Sequence, residues 1–194
     1  RARAVPPLAM SEMPRAESAP AKATRPVLSE TERSAIMTLR MIADASAHWP
    51  ARYTARVALT LPEAQAWLYG LPSLAASPTP DASPLDRMRA LLAALGNPEQ
   101  RFKSIHVAGT KGKGSICAML DSVLRASGQR VGLTTSPHLI DFRERIRIDG
   151  AVVATETAAD LATRVQAAQQ TAGIETLSFF EAVTAMAFLA FAEA

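Results

Sequence analysis

The sequence predicts an α/β fold in which a parallel sheet is flanked by helices, carries a β-hairpin and is incomplete at the C-terminus. The first observation is the order of elements in residues 104–136: an apolar run, a Gly/Lys-rich turn, a helix-patterned segment and a second apolar run. The second is a period-two alternation over residues 140–148 that ends at Asp149-Gly150. A strand, a helix and a second strand in this order predict a right-handed crossover between two parallel strands.

The turn between the first strand and its helix has the composition of a phosphate-binding loop. Closely spaced glycines allow positive φ, so that several backbone N–H groups face one point, and the following helix adds its dipole. Lys113 would supply a charge for the outer phosphates, and a hydroxyl would reach Mg²⁺ or a phosphate oxygen. The alternative is a Gly/Lys-rich surface turn. The candidate residues are Gly109, Thr110, Lys111, Gly112, Lys113, Gly114 and Ser115.

Composition limits the class of protein. The chain has 194 residues, 48% of them hydrophobic, which is enough for the core of one domain. The net charge of +3 is dispersed and aromatic residues make up only 5%, so we expect no nucleic-acid partner. With one cysteine, no apolar stretch of membrane-spanning length and no signal peptide, we expect a cytoplasmic protein without a membrane partner. We also expect a monomer.

The N-terminal third has little regular pattern. Residues 1–28 are rich in Ala, Pro and Arg and are predicted to be a disordered extension. Residues 29–60 are predicted to be a helical segment that leads into the domain, with a helix from Ser29 to about Ala45. A short helix is predicted to start at Pro62, within a domain that covers residues 61–194.

Two amphipathic helices surround the first strand. A loop is predicted over residues 70–80, and Ser83 caps a helix that Gly96-Asn97-Pro98 stops. The apolar face of that helix is predicted to consist of Leu85, Met88, Leu91, Leu92 and Leu95. The helix after the turn is predicted to bury Met119, Leu120, Val123 and Leu124.

The alternating segment predicts a strand over residues 140–148, with Asp149-Gly150 as the hairpin turn. Its three arginines would bind phosphate or carboxylate, or simply face water. Glu144 falls on the apolar side and needs a partner there. Two helices follow, and the second, which begins at Ser178, is apolar nearly all round. Glu181 would either cap that helix or serve the site.

Four segments in order carry a resemblance: DRMRALLAALGNP, IHVAGTKGKGS, VGLTTSPHLIDFRERIRIDG and LSFFEAVTAMAFLAF. They resemble the N-terminal, ATP-binding part of the bacterial dihydrofolate synthase/folylpolyglutamate synthase family, a relative of the Mur ligases. The resemblance implies a Mur-ligase-like domain, truncated here and without its C-terminal domain. It further implies an enzyme that uses ATP and Mg²⁺ to couple L-glutamate to dihydropteroate or a reduced folate through an acyl phosphate.

The resemblance also implies residue roles. Residues 110–113 would contact the ATP phosphates, and Ser136 would bind Mg²⁺. Ser136, Pro137 and His138 would form a loop between nucleotide and pterin. The pterin pocket would be lined by Ser178, Phe179, Phe180 and Glu181.

Two positions depart from the family pattern. Lys111 stands where the family commonly has Asn and Mur ligases have Lys, and residues 81–85 keep only the leucine of a pterin-contacting motif. A Mur ligase acting on a UDP-muramyl peptide is therefore one alternative, and a non-catalytic nucleotide-binding fragment is another. We expect this chain alone to bind nucleotide weakly and to show no ligase turnover.

Overall fold

The computed structural model describes residues 35–40, 58–73 and 84–194, with the backbone alone at 35–40 and at 84. The predicted extension, most of the loop at 70–80 and the Ser83 cap lie outside these residues. Five strands form one sheet: β1 (Ala35–Arg40), β2 (Lys103–Val107), β3 (Arg130–Thr134), β4 (Ile146–Ile148) and β5 (Ala151–Val152). Five α-helices pack around it: α1 (Leu61–Gly70), α2 (Pro84–Ala94), α3 (Lys113–Ala126), α4 (Thr155–Thr171) and α5 (Phe179–Glu193).

The strand order β2-β1-β3-β4-β5 corrects two expectations. The helix predicted from Ser29 to Ala45 is wrong at Ala35–Arg40, which forms β1 and pairs antiparallel with both β2 and β3. The predicted parallel pair of β2 and β3 is therefore not found: the two strands share a direction, but β1 lies between them. A short apolar run fits either a helix or a strand by periodicity, and here two ladders of backbone hydrogen bonds hold the strand.

Two helical layers cover the sheet. On one side α3 buries Cys117 against Val131 and Leu133, and burial raises the pKa of the Cys117 thiol. Residues alternate in a strand, so Gly132 faces the other side, where a Cβ atom would lie 2.2 Å from Cδ1 of Phe191 in α5. That side holds the larger core, made by α1, α2, α4, α5 and the start of β4.

Of the four residues predicted for the apolar face of α3, two pack against the sheet and two are exposed. Met119 and Val123 are 61% and 64% exposed, whereas Leu120 and Leu124 pack against the sheet with Cys117. Residues 117, 120 and 124 lie on one helical face, and the sheet selects that face because Val131 and Leu133 lie opposite it. In α2 the predicted face is correct at Leu91, Leu92 and Leu95, while Leu85 is exposed.

The hairpin confirms the predicted turn. Asp149 and Gly150 have φ of 49° and 83°, and β4 and β5 pair around them. The Asp149 carboxylate accepts a hydrogen bond from the Val131 N–H at 2.8 Å. A Cβ atom on Gly150 would lie 2.9 Å from Cζ of Arg125, whose Nε donates to the buried Asp121 at 3.0 Å. The end of α3 thus packs against the hairpin turn.

The strand predicted over residues 140–148 is wrong in its first part. Phe142–Arg145 is a 3₁₀ turn, Leu139 and Ile140 are about nine-tenths exposed, and only Ile146–Ile148 is a strand. Glu144 has its partners locally, since its carboxylate accepts from the N–H groups of Leu139, Ile140 and Asp141 at 2.9 Å each. These bonds stabilise the turn more than a strand could.

No helix in the described part of the chain is both long enough and apolar enough to cross a bilayer.

Candidate functional site

The glycine-rich turn joins the end of β2 to the start of α3. Gly112 caps the helix with a φ of 78°, a conformation that favours glycine, and Lys113 is the first helical residue. The first intrahelical bond runs from the Ile116 N–H to the Gly112 carbonyl at 2.9 Å. The N–H groups of the first helical turn before Ile116 thus have no intrahelical partner, and they lie at the positive end of the helix dipole.

Lys113 folds back over this turn. Its Nζ donates to the Gly109 carbonyl oxygen at 2.5 Å, so the ammonium closes the loop formed by residues 109–113. The residues predicted at the phosphate loop are therefore adjacent in space. Thr110, Lys111 and Ser115 are exposed around it. The arrangement places backbone N–H groups and two lysines, Lys111 and Lys113, within a single turn, a combination that suits an anion.

The loop after β3 lies at the same edge of the sheet. Ala35 pairs with Val107 at the end of β2, and its neighbour Ile36 pairs with Thr134 at the end of β3. Neighbouring strands are about 4.8 Å apart, so the two strand ends are about 10 Å apart. The glycine-rich turn and the segment from Ser136 to His138 both leave the sheet there. The shared direction of β2 and β3 therefore brings the two predicted loops to one edge.

Arg145 holds His138 in place. Its Nε donates to Nδ1 of His138 at 2.8 Å, which fixes the side on which the imidazole accepts a hydrogen bond. Burial lowers the pKa of His138 and the Arg145 cation lowers it further, while Glu144 and Asp141 act in the opposite direction. Hydrogen bonds from the N–H groups of Leu139, Asp141 and Ile140 lower the pKa of Glu144.

A cavity of about 350 Å³ lies beside this histidine. Its wall consists of Leu68, Tyr69, Leu71, Ser73, Ser136, Pro137, His138, Arg145, Phe179 and Phe180. The Phe179 ring stacks on Tyr69 with centroids 5.8 Å apart and planes inclined by 11°, and the guanidinium of Arg145 lies 5.0 Å from the Phe179 centroid. An aromatic wall with one cation and a few hydroxyls suits a flat, partly polar ligand.

A second, smaller hollow adjoins the first. Ser136, Arg145 and Phe180 line both, and the smaller one adds Thr134, Thr135, Val183 and Thr184. The structure thus brings four of the predicted site residues together: Ser136, His138, Phe179 and Phe180. Neither hollow is lined by the glycine-rich turn.

Ser178 and Glu181 are not part of this wall. Both are buried, and Oε2 of Glu181 accepts from the Ser178 N–H at 2.9 Å and from its hydroxyl at 2.6 Å. Oε1 of Glu181 accepts from Nε of Arg87 at 3.3 Å. The capping alternative for Glu181 is confirmed, and a contact between Glu181 and a ligand stays a prediction.

Sequence reasoning missed Tyr69 and treated Arg145 only as one of a row of arginines. Tyr69 lies in a short helix far along the chain from Phe179, and only tertiary packing brings the rings together. The described residues contain no group of three His, Cys, Asp or Glu side chains that could hold a metal ion. Near Ser136 the donors are hydroxyls, so a divalent ion there would depend on phosphate oxygens and water for most of its ligands.

The chain is similar in sequence to dihydrofolate synthase/folylpolyglutamate synthases. No protein-family model matches the chain. Dihydrofolate synthase/folylpolyglutamate synthase of Bacillus subtilis is 39% identical over 135 residues, which are 68% of this chain and 30% of that protein.

Two solved structures extend the comparison. A folylpolyglutamate synthase complex with AMPPCP and folate is 33% identical, with a TM-score of 0.56, over 69% of this chain and 32% of that one. The bifunctional folylpolyglutamate synthase/dihydrofolate synthase of Yersinia pestis, in complex with AMPPNP and a Mn ion, is 28% identical, with a TM-score of 0.55, over 69% and 31%. The chain thus spans about a third of the length of these relatives.

Proposed function

Since about two thirds of this chain is homologous to dihydrofolate synthase/folylpolyglutamate synthases, we propose that it forms the nucleotide-binding and pterin-binding part of such a ligase. The reaction would be the ATP-dependent addition of L-glutamate to dihydropteroate or a reduced folate through an acyl phosphate. The observation that carries the proposal is the joint position of the glycine-rich turn and the Ser136–His138 loop at one edge of the sheet. Residues 61–194 would belong to this phosphate-loop domain.

The nucleotide would bind at the start of α3. Backbone N–H groups of the turn and the ammonium of Lys113 would neutralise the β- and γ-phosphates, because charge at the transferred group is what such a site must balance. Thr110, Lys111 and Ser115 are exposed at the same turn and would complete the cradle. The relatives in complex with AMPPCP and with AMPPNP and Mn support a nucleotide and a divalent ion.

The Ser136 hydroxyl would be the protein's ligand for Mg²⁺. The hydroxyl of Ser136 fits this role because Mg²⁺ bound to a nucleotide takes most of its ligands from phosphate and water. When bound, the ion would neutralise phosphate charge. The chain's own contribution is to hold the Ser136 hydroxyl at the sheet edge next to the cavity.

The pterin-containing substrate would occupy the aromatic cavity. Phe179 and Phe180 provide apolar surface, while His138 and Arg145 provide polar contacts at the side that adjoins Ser136. The relative in complex with folate supports this class of ligand. A substrate held here would present its carboxylate toward the nucleotide, as phosphoryl transfer requires.

The second candidate function is a Mur ligase acting on a UDP-muramyl peptide. It is favoured by one residue, Lys111, which matches the residue common in Mur ligases at this place. The two functions differ in the acceptor: an enzyme that releases ADP only with dihydropteroate or a folate and L-glutamate supports the first, and turnover with a UDP-muramyl peptide supports the second. This assay needs the full-length gene product.

The test of the nucleotide site uses the 194-residue chain itself. We expect calorimetric titration with ATP and Mg²⁺ to give weak binding, and Lys113→Ala to raise the Kd about tenfold or more, because a charge-assisted contact is lost. Lys103→Ala is the matched control, since it removes the same charge at the opposite end of β2. Equal Kd values for the Lys113 variant and the original chain would contradict the proposed site. Absence of ATP binding by a folded chain would contradict the proposed nucleotide site as well.

A further inference from the structure

Tyr69 is the aromatic residue that α1 contributes to the wall of the cavity, next to Leu68. It stacks on Phe179, lies 6.3 Å from the His138 ring by centroids, and is 52% exposed. The residue before it, Leu68, is fully buried in the main core. α1 therefore places an aromatic ring at the mouth of the cavity while its inner face is fixed by packing.

A backbone hydrogen bond fixes this placement. The N–H of Phe179, the first residue of α5, donates to the carbonyl of Pro72 at 3.0 Å. Pro72 lies three residues after Tyr69, so this bond attaches the segment that leaves α1 to the first residue of α5. The stacking of Tyr69 on Phe179 thus follows from the backbone and does not depend on a mobile side chain alone.

The Phe179 ring already has three close neighbours. Tyr69, His138 and Arg145 all approach its ring within 6 Å, and it is half-buried. Tyr69 has one neighbour stacked on it and about half of its surface open. Among the described residues its hydroxyl makes no hydrogen bond, so both the ring face and the hydroxyl remain available. The surface open to a flat ligand is therefore on Tyr69.

We propose that Tyr69 is the stacking residue of the cavity and sets its preference for planar heteroaromatic ligands, with Phe179 as the layer behind it. This inference rests on the proposed function, because it deepens the assignment of the cavity to the pterin-containing substrate. Offset stacking on an aromatic face is selective for flat π-systems and tolerant of their polar substituents. The ligand would extend the existing pair of rings to a stack of three.

The experiment measures pteroate binding by fluorescence in the 194-residue chain. Tyr69→Leu keeps the apolar volume but removes the ring, and we expect it to raise the Kd about tenfold or more. Tyr69→Phe keeps the ring and should stay within about threefold of the original. ATP titration of each variant should be unchanged, since the glycine-rich turn does not line the cavity. Pteroate binding by Tyr69→Leu with the original Kd would overturn the inference.

A second measurement needs no variant. The chain contains two tyrosines, Tyr53 and Tyr69, so the ring protons of Tyr69 are readily assigned by NMR. Stacking of pteroate should shift them upfield, and unshifted signals at saturating pteroate would overturn the inference. If the original chain binds ATP but no pteroate, the substrate assignment and this inference fail together while the nucleotide site stands. If it binds neither, the proposed function itself fails.

Discussion

The buried ion pair between Arg87 and Glu181 connects α2 to the first turn of α5. Its Nε and Oε1 atoms are 3.3 Å apart, and the two side chains are 7% and 5% exposed. Because water barely reaches this pair, the attraction is not screened as it would be on the surface. Removing one partner leaves the other charge buried, and this lowers the free energy of unfolding by about 3–5 kcal/mol.

We therefore expect Arg87→Met to lower the free energy of unfolding by that amount, measured by urea denaturation. In Glu181→Gln the buried guanidinium loses the Glu181 carboxylate, and the cost should be of similar size. The double variant carries no buried charge at this place, so its loss should be smaller than the sum of the single losses by about 2 kcal/mol or more.

An exposed pair provides the control. Asp86 and Arg89 lie 3.0 Å apart with side chains 64% and 74% exposed, so Arg89→Met should change the free energy of unfolding by less than about 0.5 kcal/mol. Additive losses for the Arg87 and Glu181 variants, within about 0.5 kcal/mol, would show that the two side chains do not interact and would refute the reasoning.

Two further perturbations test the sheet and its turn. Gly132→Ala should destabilise the chain by about 1–3 kcal/mol, because the added methyl meets Phe191, and Phe191→Leu in the same chain should recover part of that loss in urea denaturation; an unchanged midpoint would contradict the contact. The hydrogen bond from Arg143 lowers the pKa of Asp141 below its ordinary 3.8, and backbone N–H groups lower that of Glu144. Because these folded-state values lie below the unfolded ones, their stabilisation is complete above about pH 5 and is lost as the pH falls through the folded pKa values. The urea midpoint should fall in that acid range, and less steeply in Asp141→Asn; parallel pH curves would contradict the assignment.

Local signals in the sequence predicted the parts of the fold that local chemistry determines. Gly112 before Lys113 and Ser178 with Glu181 at α5 make their hydrogen bonds within a few residues, and Asp149-Gly150 marks its turn by two consecutive positive φ angles, so the pattern alone locates them. The glycine-rich turn between β2 and α3 was located in the same way, and its role in binding phosphate stays a prediction.

The failures arose where a distant partner decides the structure. The segment Ala35–Arg40 fits a helix by its spacing, but it pairs with strands about 70 and 95 residues away. The alternation around Glu144 is consistent with a strand, yet the carboxylate binds three nearby N–H groups and closes a 3₁₀ turn. A short stretch of sequence shows neither the distant strands that pair with Ala35–Arg40 nor the backbone N–H groups that bind Glu144.

The candidate site shows the same division. Ser136, His138, Phe179 and Phe180 were predicted through the family resemblance, and the structure brings them to one cavity. Tyr69 belongs to a short helix with no site motif, and it reaches that cavity through tertiary contacts: the core packing of Leu68 and the hydrogen bond from the first N–H of α5 to the Pro72 carbonyl. A contact of this kind has no signature in the order of residues.

The packing of Arg125 against Gly150 connects the end of α3 to the hairpin turn. The helix has 14 residues and so measures about 21 Å from its glycine-rich start to its end at the hairpin. We expect a tilt of the helix at its glycine-rich start to displace its far end, where the guanidinium covers the turn. An isotope label on the Gly150 amide would therefore act as a remote reporter of occupancy at the first turn of α3, free of direct contact with whatever binds there.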